Sequence, residues 1–70
     1  VDFVVTEDRK PILLVEAKRS DAEVDSSLRY LLERCPGAAA WQVSATGKKS
    51  YQTPEGIRVA PALELLRTLA

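Results

Sequence analysis

The sequence predicts an α/β fold: a mixed β-sheet with an N-terminal β-hairpin, a crossover helix to a parallel strand, and a C-terminal helix. Three observations carry this. Two β-branched and apolar runs, residues 1–6 and 11–17, flank the polar tetrad Glu7-Asp8-Arg9-Lys10, which is the pattern of a hairpin. The helical stripe Leu28, Leu31, Leu32, Cys35 follows the hairpin and precedes another strand-like run. A strand, a helix and a strand in succession close as a right-handed crossover with the two strands parallel. Ala62, Leu65, Leu66 and Leu69 then repeat the helical stripe.

Each element has its own signal. The second run is apolar on both faces, with Ile12 and Leu14 on one and Leu13 and Val15 on the other, as a central, doubly covered strand reads. Neither Asp8 nor Arg9 is glycine, and two-residue hairpin turns favour glycine strongly, so an odd-numbered loop is expected, pairing Thr6 with Ile12 or Glu7 with Pro11. Asp25 is the expected N-cap of the first helix, although Ser20-Asp21-Ala22-Glu23 also matches a capping box and would start it earlier. Pro36-Gly37 ends that helix.

In the run 39–45, Trp41 and Val43 share one strand face, and Gln42 and Ser44 the other. Thr46-Gly47-Lys48-Lys49 and Thr53-Pro54-Glu55-Gly56 read as two turns, and 57–60 as a short fourth strand. Pro61 suits the first turn of the terminal helix.

Composition narrows the function. The 70 residues are 46% hydrophobic and 29% charged, a globular balance that allows one small domain, 1–70. Ten basic and ten acidic residues cancel, so any anionic partner must be held by a local patch. One cysteine forms no internal disulfide, and no apolar run approaches the roughly 18 residues of a membrane span, so a cytoplasmic setting is expected. With no histidine, catalysis would rest on carboxylates, Lys, Tyr or Cys, and zinc is disfavoured. Residues 1–5 already read as the inside of a strand, with no initiating Met. The expectation is a C-terminal piece of a longer protein.

The chemistry-bearing stretch is Leu13-Leu14-Val15-Glu16-Ala17-Lys18. Glu16 and Lys18 stand side by side on one strand face. Asp2 is the one acid in the first run, and if Val4 pairs with Leu14, Asp2 lies opposite Glu16 on a strand roughly 5 Å away. Two like charges placed so need a compensating cation, either Lys18 or a metal, and hard oxygen ligands suit magnesium or manganese.

Asp2 followed by Glu16-Ala17-Lys18, on a hairpin leading into a crossover helix and a parallel strand, resembles the metal-dependent PD-(D/E)XK nuclease superfamily. More closely, "VDFVV", "LLVEAKRSD", "SLRYLLER" and "GIRVAPALELL" look like the C-terminal domain of uncharacterised function that follows an AAA-type ATPase module in many bacterial and archaeal ATPases. The likeness covers almost the whole chain, and it implies a partial restriction-endonuclease-like fold. It further implies that Asp2 and Glu16 bind magnesium or manganese, that the Ala17 carbonyl adds a ligand, and that Lys18 orients or activates the attacking water. The implied function is phosphodiester hydrolysis of DNA by a domain joined to an ATPase in the same polypeptide. The alternative is an inactive accessory module that binds DNA or docks onto the ATPase.

Several residues have plainer expected roles. Trp41 and Cys35 belong in the core, Gln42 to buried hydrogen bonds with backbone, and Lys48-Lys49 to solvent, with phosphate contact as the alternative. Apolar surface along Phe3, Val5, Leu13 and Val15 is expected to stay uncovered and to drive self-association.

Overall fold

The hairpin forms, but through a different turn. In the computed structural model, which describes residues 1–70, β1 (Phe3–Glu7) and β2 (Lys10–Lys18) are joined by Asp8 and Arg9 alone. Both are left-handed, with φ 51° and 66°, and Glu7 faces Lys10. Such a turn matches the right-handed twist of its strands, and that match outweighs the missing glycine. The odd-numbered loop expected from the sequence is therefore not what closes the hairpin.

A two-residue turn alone would place Asp2 opposite Val15. Instead the register shifts between Val5 and Thr6: Thr6 faces Pro11, Val5 faces Leu13, and Ile12 is left without a partner. This is a β-bulge, and Pro11, with no N–H to give the ladder, sits at its edge. The bulge turns the rest of β2 over, so that Val4 pairs with Leu14 as the metal-site reading requires.

After β2 come α1 (Ser26–Arg34), β3 (Ala39–Ser44), β4 (Tyr51–Gln52), β5 (Ile57–Pro61) and α2 (Ala62–Leu69). The sheet order is β1-β2-β3-β5-β4. β2, β3 and β5 run parallel, and β1 and β4 are antiparallel edges. The expected mixed α/β architecture is thus present. β4 is a strand the sequence did not announce, because two residues are too few to show a period. Asp25 is the N-cap of α1, its carboxylate accepting from Ser27 N at 2.9 Å, so the earlier capping box goes unused.

Two cores sandwich the sheet. Leu14, Ala40, Ile57 and Val59 pack under Leu28 of α1, while Val15 and Val43 pack under Leu65 of α2. Trp41 lies half-buried against the second cluster. Cys35 is half-buried as the C-cap of α1 and packs, with Leu31 and Leu32, against the first cluster.

The helices centre on β3: α1 rests on β2 and β3, and α2 on β3 and β5. β2 is therefore covered on both faces only at Leu14 and Val15, while Phe3 is 63% exposed and Ile12 41%. Val15, expected on the bare surface, is buried by Leu65. Phe3, Val5, Leu13, Ala17, Leu66 and Leu69 line an apolar groove of about 460 Å³ between the hairpin and α2. No helix is long and apolar enough to cross a membrane.

Candidate functional site

The carboxyl ends of the parallel strands collect the polar side chains. Even-numbered residues of β2 and β3 point to the α1 face, so Glu16 and Lys18 stand beside Gln42 and Ser44, their register partners on β3. Asp25, at the N-terminus of α1, reaches over the same end of the sheet. Open parallel sheets present their ligand-binding crevices at the carboxyl ends of their strands.

Lys18 is the hub. Its Nζ donates to Asp25 Oδ2 at 2.7 Å and lies 3.9 Å from Glu16 Oε2. The hydrogen bond to Asp25 raises the Lys18 pKa above its ordinary value; desolvation works against this, and the charges of Asp25, Glu16 and Asp2 add to it. The pairing favours the ammonium form further. Asp25 is held well below the usual carboxylate range by Lys18 and by the Ser27 hydroxyl and amide.

Asp25 is in turn fixed by a buried amide. Gln42 Oε1 accepts from Asp25 N at 2.8 Å, and Gln42 Nε2 donates to Glu23 O at 3.0 Å and to Ala22 O at 3.3 Å. Gln42 is 2% exposed, and all its bonds go to the connector between β2 and α1, the backbone role expected of it. The sequence marked Asp25 only as a helix cap. Its second role depends on the connector folding back over Lys18, which local pattern does not encode.

Asp2 precedes β1. Its amide donates to Val15 O at 3.0 Å and its Oδ2 accepts from Ala17 N at 2.7 Å. One oxygen of Asp2 is thus spent on the strand between Glu16 and Lys18, rather than facing Glu16 freely. Ala45 N donates to Lys18 O, which turns the peptide groups of Glu16 and Lys18 toward β3 and those of Val15 and Ala17 toward β1. The Ala17 carbonyl therefore lies on the Asp2 side of the strand.

Glu16 differs from its neighbours. Its side chain is 13% exposed, and Lys18 Nζ lies 3.9 Å from its Oε2. A carboxylate this far from water needs a cation or a metal beside it.

No family model, curated protein or solved structure matches this chain.

The donors here are oxygens, which suit a hard divalent ion. No cluster of three or more acidic, His or Cys side chains forms in the chain. Magnesium does not require one, because it keeps several waters and is commonly held by one or two carboxylates together with substrate phosphate. Glu16, the Asp2 oxygen not bonded to Ala17, and the Ala17 carbonyl are oxygen donors of the right kind.

Proposed function

We propose that this chain is a nuclease-like domain whose Asp2, Glu16 and Ala17 hold magnesium or manganese and whose Lys18 serves phosphodiester hydrolysis of DNA, as part of a polypeptide that carries an AAA-type ATPase module. The observation that carries the reading is Glu16: a mostly buried carboxylate with Lys18 on the same face and Asp2 bonded to the residue between them. When bound, the ion would supply positive charge at the phosphate and lower the pKa of its water.

The residues of this chain divide the remaining work. Lys18, an ammonium paired with Asp25, acts as a donor that orients a phosphate oxygen or the attacking water. Asp25 and Gln42 hold the ammonium in place, and Asp2 ties β1 to β2 beside it. The test is cleavage of plasmid DNA with magnesium or manganese, compared with Lys18→Ala. Metal-dependent cleavage lost in the variant supports the reading, and cleavage that is absent or unchanged in it overturns it.

A second reading also has an observation behind it. The nearest partner of Lys18 is Asp25, and Asp2 Oδ2 is spent on a backbone amide, so both groups also serve as a clasp joining β1, β2 and α1. In that reading the domain is an accessory module that binds DNA or docks onto the ATPase without chemistry.

A further inference from the structure

Four of the ten basic side chains are engaged within the fold. Lys18, Arg29 and Arg58 form ion pairs, and Arg34 stacks on Tyr30 with 3.5 Å between the guanidinium carbon and the ring centroid. Of the other six, Arg9 and Lys10 belong to the hairpin turn and Arg67 to α2. The remaining three, Arg19, Lys48 and Lys49, are exposed, make no ion pair, and follow the carboxyl ends of β2 and β3. That is the end of the sheet where Glu16 and Lys18 lie.

These three side chains project from two segments held rigidly together. Thr46 N and Oγ1 both donate to Arg19 O, at 2.9 and 2.7 Å. Asp21 then receives Lys48 N on Oδ2 and Lys49 N on Oδ1, each at 3.1 Å. Both Asp21 oxygens are thereby turned to backbone amides; neither ammonium pairs with it, although the Lys49 charge still acts on the carboxylate. Gly47 permits the close approach: a Cβ there would collide with Asp21 Oδ1 and Ser44 Oγ. Three exposed basic residues thus sit on two segments tied together, with little backbone left to order on binding.

We propose that Arg19, Lys48 and Lys49 form a docking ridge for the phosphodiester backbone of a nucleic acid, leading one strand toward Glu16 and Lys18. The inference deepens the reading of that site as a phosphodiester site and rests on it for the direction of the strand. Free, exposed cations on a fixed loop suit phosphate contacts, which position a nucleic acid without reading its sequence. The chain's zero net charge makes the ridge a local feature instead of a general polyanion trap.

The test is fluorescence anisotropy of labelled duplex DNA, single-stranded DNA and duplex RNA with the full chain, over a series of salt concentrations. EDTA is present throughout, so that failure of the metal reading leaves the measurement intact. For duplex DNA the expected slope of log K against log salt is roughly −3, becoming roughly −1 in Lys48→Ala/Lys49→Ala and roughly −2 in Arg19→Ala. Both variants keep the backbone donors and acceptors of the loop, and unchanged far-UV circular dichroism verifies their fold. Binding of any of the three nucleic acids with this loss of slope upholds the ridge. The proposal is overturned by no salt-dependent binding, by a double variant that binds as the parent does, or by equal competition from polyaspartate of matched charge.

Discussion

Lys18 Nζ donates to Asp25 Oδ2 at 2.7 Å, joining the last residue of β2 to the N-cap of α1. The contact makes one carboxylate serve two ends: one oxygen takes the Ser27 amide and hydroxyl, the other the ammonium. Helix start and site geometry are therefore coupled.

The coupling predicts a pH profile. The folded chain holds Asp25 below its ordinary 3.8 and Lys18 above its ordinary 10.5. The contribution of Asp25 is thus complete above pH 3.8 and is lost as the pH falls through the lower folded value. That of Lys18 is complete below 10.5 and is lost as the pH rises past it. Urea titrations across pH are expected to show a plateau between these limits. Asp25→Asn should flatten the alkaline limb, and should flatten the acid limb in part, because Asp21, Glu55 and Glu64 are also held low. A variant with both limbs unchanged would contradict the pairing.

Gln42→Leu keeps the bulk of the side chain and removes every polar contact it makes. Asp25 N, Glu23 O and Ala22 O would each lose a partner in a part-buried setting. At about 1–3 kcal/mol for a buried group left unpaired, the expected loss is a large share of the roughly 4–10 kcal/mol that a chain of this length has. A denaturant midpoint within error of the parent's would show that these bonds contribute nothing net.

The turn predicts a stabilising change. Asp8 and Arg9 hold left-handed backbone that costs a non-glycine residue about 1 kcal/mol, so Arg9→Gly is expected to raise stability by up to roughly that amount. An odd-numbered loop, in which Arg9 need not be left-handed, would give no gain or a loss.

Much of the architecture is legible in the sequence because its periods are long: β2, α1, β3 and α2 each span enough residues for their faces to show. The departures occur where one or two residues decide. Ile12 is apolar like its neighbours, so nothing local marks it as the bulge; the conflict between a two-residue turn and the core faces of Leu14 and Val15 creates it. Asp2, Glu16 and Lys18 could be singled out by spacing along strands. The bond from Asp2 to Ala17 N and the pairing of Lys18 with Asp25 depend on how the chain ends and the connector fold back.

The bare face predicts association. β1 is an edge strand, and the pairing of Phe3 and Val5 with β2 turns the Val4 and Thr6 peptide groups outward beside exposed Phe3, Val5, Leu66 and Leu69. Sedimentation velocity is expected to show concentration-dependent self-association that weakens in Phe3→Ser/Leu69→Ser. A chain that stays monomeric over the whole soluble range would contradict this.

Manganese titration followed by electron paramagnetic resonance reads an ion bound at Asp2 and Glu16 without requiring turnover. Saturable binding of manganese is expected, competed by magnesium, with affinity falling at least tenfold in Glu16→Gln and in Asp2→Asn while circular dichroism stays that of the parent. No saturable binding, or binding equally tight in both variants, would contradict a metal site at Asp2 and Glu16.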